Sequence, residues 1–285
     1  MNVIYWLFVA MGGLLSGFLA RLIGIGGGIV LVPILIALNH TYVQSVATSN
    51  FALAMIAFYR ILQNWQMGYF KFERVTWTGL PSIFTALIGA YFVTITPEPF
   101  LKVGFGIFLL TNIYLIQLRQ QLAIISEINL LQESRTLGWI TASVITELKL
   151  KAIQLPENIE IKKIDSTIPL ISIGGSSGLL SGLFGVGGGI IITPLRMLLL
   201  NEKTKVAIKN SICLIFFASV GACLQHLPKG NVLFFQGIIL GTTAIIGIRL
   251  SNVNLPKLSE QRAISISNSL LVILTIYVFI QAIFF

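Results

Sequence analysis

Two short stretches of this chain hold residue types that can bind an anion without carrying a charge. Gly24-Ile25-Gly26-Gly27-Gly28-Ile29-Val30-Leu31-Val32-Pro33 returns 161 positions later as Gly185-Val186-Gly187-Gly188-Gly189-Ile190-Ile191-Ile192-Thr193-Pro194. Glycine triplets are poor helix material, because they lose the most backbone entropy and leave their amides bare. A helix that starts just after such a break has first amides with no internal partner, and its dipole places roughly half a positive charge there. Consecutive glycine amides also form anion-binding concavities, and the missing Cβ atoms let a guest touch the backbone. The expected binding set is therefore Gly26, Gly27, Gly28 and Ile29 with Gly187, Gly188, Gly189 and Ile190. Glycines that only permit tight helix packing are spaced four apart, not adjacent.

Further donors follow each break. Thr48, Ser49 and Asn50, with Asn210 and Ser211 in the second half, start the next helix and can complete an oxyanion's shell. Polar residues in apolar helices are expensive unless they face a cavity or a partner. That argument adds Asn112 and Asn268 as secondary candidates, with inter-helix bonding an equal use for them. Lys209 either holds the anion or faces lipid headgroups. Arg249, near a helix end, is placed to snorkel or to meet substrate. Pro33 and Pro194 are expected to end or bend the short helices.

These residues must be positioned inside a bilayer. The chain has 285 residues, 55% hydrophobic and 10% charged, with a mean hydropathy of +0.90. A soluble domain carries about a quarter charged residues, so this is an all-α polytopic membrane protein. The first apolar run, 3–22, lacks the basic start and cleavage pattern of a signal peptide and reads as a permanent helix. The formal charge of +9 is spread over short loops, which excludes a nucleic-acid surface and matches a positive excess beside helices. Cys213 and Cys223 fit neither a zinc site nor a disulfide framework, and His40 and His226 form no ligand pair. No metal or cofactor is expected.

Apolar segments fall at 3–22, 29–39, 44–63, 75–96 and 100–118, and again at 168–184, 190–200, 206–226, 232–252 and 262–284. Since a full span needs about 20 residues, 29–39 and 190–200 read as half-helices. The duplication extends to Ser16-Gly17 with Ser177-Gly178, Asn50 with Asn210, Gly79 with Gly237, Gly89 with Gly247 and Asn112 with Asn268. Three parts result: an N-terminal transmembrane repeat, 1–118; a polar connector, 119–167; and a C-terminal repeat, 168–285. Five segments per half, with each broken pair going in and coming out, would turn the second half over. Nearly all Lys and Arg then share one side with the connector, Lys102, Arg196 and Lys229 excepted. The expected architecture is two inverted-topology repeats of five segments each, with a cytoplasmic connector and both termini outside. In such a pair the two breaks enter from opposite faces and can meet near the midplane.

The doubled Gly-x-Gly-Gly-Gly with its proline, together with Ala47-Thr48-Ser49 in the following helix, resembles the TauE/SafE sulfite-exporter family over nearly the whole chain outside 119–167. The resemblance implies a permease of the cell (inner) membrane for a small sulfur-containing anion such as sulfite, a sulfonate or thiosulfate. The connector is longer than the family pattern, and Ala207-Ile208-Lys209 stands where the first half has Ala-Thr-Ser. Expected partners are a small anionic substrate and the lipid bilayer, with a homodimer allowed and nucleic acid excluded.

Three other readings were open to test. A passive anion channel would use the same cage. An intramembrane serine hydrolase would use Ser177 in Gly175-Ser176-Ser177-Gly178 with His226 as base, although the repeat mate Ser16 has no histidine. A dinucleotide loop at Gly24-x-Gly26 fails, since no strand precedes it.

Overall fold

The computed structural model describes residues 3–23, 27–65, 72–133, 167–200, 202, 204–253 and 260–284. Gly24, Ile25 and Gly26 of the first break, and the greater part of the connector, lie outside the described residues. Those described form ten helices and no strand: α1 (Val3–Ile23), α2 (Gly28–Ala37), α3 (Tyr42–Trp65), α4 (Phe72–Ile95), α5 (Glu98–Glu133), α6 (Thr167–Phe184), α7 (Gly189–Leu200), α8 (Thr204–His226), α9 (Phe234–Val253) and α10 (Glu260–Phe284). Among them α1, α3, α4, α5, α6, α8 and α9 contain apolar stretches of 18 to 24 residues, enough to cross a bilayer. The outer surface presents large apolar side chains such as Phe84, Phe100 and Phe235, as a lipid surround allows. Helix α5 continues past the apolar span 98–118 to Glu133 without interruption.

The two short helices, of 10 and 12 residues, each begin on the last glycine of a break. Neither ends at its proline; Pro33 and Pro194 lie inside helices that run on to Ala37 and Leu200. A proline there removes one hydrogen bond near the helix start, and burial supplies the rest of the stability. In α2, every residue from Gly28 to Pro33 is buried, and its side chains enter two separate apolar clusters, Ile29, Val30, Val32 and Ile36 in one, Leu31 and Leu35 in the other. A helix that is apolar all round belongs in the core.

Contacts give the helix directions. Tyr5 Oη is 2.7 Å from His40 Nε2, Gly12 faces Ile34, and Ser16 bonds Gly27. The numbers run in opposite senses, so α2 folds back along α1. Helix α9 runs parallel to α1, because Gly13 faces Leu240 and Gly17 faces Ala244. Helix α4 runs parallel to α6 by the matching contacts, Thr78 with Gly174 and Ser82 with Gly178. In both pairs a Cβ on the glycine would overlap a backbone carbonyl oxygen of the partner helix (Leu240, Ala244, Thr78 or Ser82), so only glycine permits this approach. Helix α3 runs along α9, with Thr48 beside Leu233 and Tyr59 beside Arg249. It opposes α6, since Asn50 meets Ser181 while Ser49 meets Gly185.

Two pairings read from the sequence shift by a helical turn. Gly174 faces Thr78 as Gly13 faces Leu240, so the contacts match Gly79 with Gly241 instead of Gly237, and Thr85 instead of Gly89 with Gly247. Small residues a turn apart share a helix face, which is why the linear comparison chose the neighbour.

Candidate functional site

The two breaks touch. A Cβ on Gly28 would lie 2.7 Å from the Val186 Cα and 2.8 Å from the Gly185 carbonyl oxygen. Gly27, Gly28 and Ile29, and Gly185 through Gly189, are all buried. Gly27 is the N-cap of α2, with φ −67° and no side-chain cap. Gly28 and Ile29 form the first turn of α2, as Gly189 and Ile190 form that of α7, and first-turn amides have no partner within their own helix. The start of α2 therefore lies against the leading residues of the second break.

The breaks differ at the equivalent positions Gly27 and Gly188. Gly185, Gly187 and Gly188 have φ of 66°, 73° and 65°, the left-handed region where a Cβ is strained. Gly27 has ordinary helical angles and is required by space, since a Cβ would overlap Ser16 Oγ. Ser16 Oγ donates to the Gly27 carbonyl at 2.8 Å.

Helix α3 supplies the side chains beside the second break. Ser49 Oγ donates to the Gly185 carbonyl at 2.6 Å. Asn50 Nδ2 donates to the Val46 and Ser181 carbonyls at 3.1 and 3.0 Å, and Ser181 Oγ donates back to Asn50 Oδ1 at 2.9 Å. Thr48 Oγ1 accepts from the Leu233 backbone N–H at 3.1 Å, which fixes the start of α9. In these contacts Ser49 and Asn50 serve as clamps that hold the second break's backbone against α3. Their donors are bonded to protein in this conformation.

The second-half counterparts do other work. Asn210 Nδ2 lies 3.2 Å from both oxygens of Glu202, and Glu202 pairs with Arg196 at 2.9 and 3.0 Å. Arg196 is 1% exposed, so the charge read from the sequence as a topological exception is a buried, paired one. Ser211 Oγ donates to the Ala207 carbonyl at 2.6 Å and lies 3.3 Å from Thr193 Oγ1, which in turn bonds the Gly189 carbonyl. Lys209 precedes this pair on α8 and is half-buried. Arg249 is exposed at the α9 surface, bonding Tyr59 Oη at 2.8 Å. Asn112 and Asn268, on α5 and α10, each keep a buried Oδ1 with no partner.

Ser181, Arg196 and Glu202 were not singled out as site residues by the sequence. Ser181 has Ala20 at the matching first-half position, so a search for doubled residues passes over it. The hydrolase alternative does not survive. Ser177 Oγ has no hydrogen-bond partner, while His226 faces Asn231, and a nucleophile needs its base within reach.

The sequence model of the TauE family, described as Sulfite exporter TauE/SafE, matches residues 9–278. The chain belongs to the TauE/SafE family. It is 26% identical over 281 residues to "Probable membrane transporter protein YunE" of Bacillus subtilis (strain 168), covering 95% of this chain and 96% of that relative. A probable membrane transporter protein of Methanocaldococcus jannaschii is 26% identical over 230 residues, 77% of this chain and 71% of its own length. Another, from Haemophilus influenzae, is 30% identical over 109 residues, 36% of this chain and 41% of its own. No solved structure matches. This TauE/SafE member is a multi-pass membrane transporter and not an enzyme.

Proposed function

We propose that this transporter moves a small sulfur-containing oxyanion, such as sulfite, a sulfonate or thiosulfate, across the cell membrane by alternating access. The reading is carried by the contact between the two breaks, where Gly28 meets Gly185 and Val186, each break leading into a helix whose first amides have no partner in their own helix. Such ends bind oxyanions without a fixed cation. The binding set is the one read from the sequence, Gly26–Ile29 and Gly187–Ile190, supported by Ser49 and Asn50 through their hold on the second break. In this proposal the described conformation is the occluded one, since the described glycines of both breaks are buried.

Two inverted repeats supply the rocking halves. The assignment is supported by the helix directions: α1 parallels α9, which parallels α3, and α3 opposes α6. The repeat mates α1 and α6 then point opposite ways. The connector side is cytoplasmic and both termini are outside, on the argument from Lys and Arg distribution.

The test is flux into proteoliposomes with radiolabelled sulfite and thiosulfate. Uptake that saturates and is accelerated by unlabelled anion on the far side is expected. Unsaturable flux would indicate a pore, and absence of flux for every sulfur oxyanion would overturn the substrate class.

A further inference from the structure

We infer that the two breaks grip the anion unequally, and that Ser177 Oγ, at the second break, is a direct donor to it. The inference rests on the transport reading above and adds a residue and an asymmetry to it.

Ser16 and Ser177 stand 161 positions apart, as the breaks do. Each faces the equivalent glycine of its own break, Gly27 or Gly188. Their hydroxyls have different fates. Ser16 Oγ is bonded to the Gly27 carbonyl at 2.8 Å, which closes the first break. Ser177 is 1% exposed, and its Oγ has no hydrogen-bond partner. A Cβ on Gly188 would sit 3.2 Å from that oxygen, so the hydroxyl lies against the start of α7.

Backbone handedness accounts for the difference. Gly188 is left-handed, at φ 65°, and its carbonyl accepts the Ile191 and Ile192 amides, both at 3.1 Å. Gly27 is right-handed, and its carbonyl takes Val30 at a longer 3.3 Å as well as Ser16. The second carbonyl is thus occupied by its own helix. A serine in a helix can instead bond the carbonyl three or four residues back, as the neighbouring Ser176 does to Ile173 at 3.1 Å. Ser177 does not. A lone buried hydroxyl is unfavourable unless something occupies it, and the adjacent helix start is electropositive. The species that suits both is an oxyanion, taking the hydroxyl proton on one oxygen and the first amides of α7 on another. Those donors are neutral.

The experiment measures saturable uptake of radiolabelled sulfite and thiosulfate by reconstituted full-length protein. Ser177→Ala should raise the half-saturation concentration roughly tenfold or more, the loss typical of a hydrogen bond to a charged group, with the maximal rate little changed. Ser16→Ala should lower thermal stability and leave half-saturation near wild type. An unchanged half-saturation in Ser177→Ala overturns the inference while wild-type uptake keeps the transport reading. Wild-type protein that moves neither anion overturns both. Should Ser177→Ala fail to fold, Ser177→Cys retains the volume with a weaker donor. Its thiol should be protected from a small thiosulfonate reagent by methanesulfonate, a sulfonate that does not react with the reagent, but not by chloride, and equal labelling in both overturns the inference.

Discussion

The two glycine breaks share a sequence pattern and differ in why they need it. At Gly27 the first is a packing site: its angles are ordinary helical ones, and a Cβ there has nowhere to go because Ser16 Oγ fills the space. The second is a backbone site, with three left-handed glycines in four residues. The return helices are secured differently as well. The end of α2 is tied by Tyr5 to His40, whereas α7 is tied by Arg196 to Glu202 and Asn210. A duplicated motif can therefore keep its residues while each copy takes a separate physical task.

The largest expected effect is on the tie of α7. Glu202→Ala leaves Arg196 buried without its partner, which should destabilise the protein by about 3–5 kcal/mol, read as a fall in melting temperature in detergent. The corresponding change on the first side, Tyr5→Phe, removes the part-buried bonds to His40 and Gln236 and should move the melt less, by about 2 kcal/mol for the two. Equal losses would erase the distinction between the two ties.

Next come the glycines. Gly188→Ala should cost about 1–2 kcal/mol from the left-handed backbone alone, and removing the neighbour by Ser177→Gly should not restore stability. Gly27→Ala meets only a side chain at its closest point, so adding Ser16→Gly should recover much of its stability. Rescue of both, or of neither, would show that the breaks are limited by the same thing.

A smaller effect is expected at the clamp. Ser49→Ala removes one buried bond to Gly185, about 1 kcal/mol. A double-mutant cycle of Asn50→Ala with Ser181→Ala should give a coupling of about 0.5–3 kcal/mol, whereas Asn210→Ala with Ser211→Ala should be close to additive, as their partners differ.

The smallest is a pH effect at His40, on the first side. Burial pushes the His40 imidazole below its ordinary value of 6.5, so the folded protein binds fewer protons there than the unfolded chain. Stability should be complete above pH about 6.5 and decline as pH falls below it. His40→Gln should make that part of the profile shallower. A decline of the same size in the variant would remove His40 as its source.

Much of the architecture was legible because it is local. The unbroken apolar runs of 100–118 and 206–226 became spans within α5 and α8, and the glycine triplets became helix starts at Gly28 and Gly189. Pro33 and Pro194 do not end their helices, since a single missing amide does not stop a helix as deeply buried as α2. The match of Gly79 to Gly237 misled for a related reason, as a linear comparison cannot distinguish positions one turn apart on the same face. Asn50 and Asn210 looked equivalent in type and position. Yet one meets Ser181 across the molecule and the other Glu202 eight residues away, because the second half carries an acid that the first half lacks at that place.

Hydropathy, glycine clusters and their repetition were enough to determine that this chain enters a membrane as helices and is interrupted twice. Those are properties of short segments and of their solvent. Which serine hydroxyl is bonded and which is left bare, and which helix lies against α1, were decided only by the tertiary structure. Helix α9, which packs on both α1 and α3, comes from a segment more than a hundred residues away, brought within reach by packing that no local period encodes.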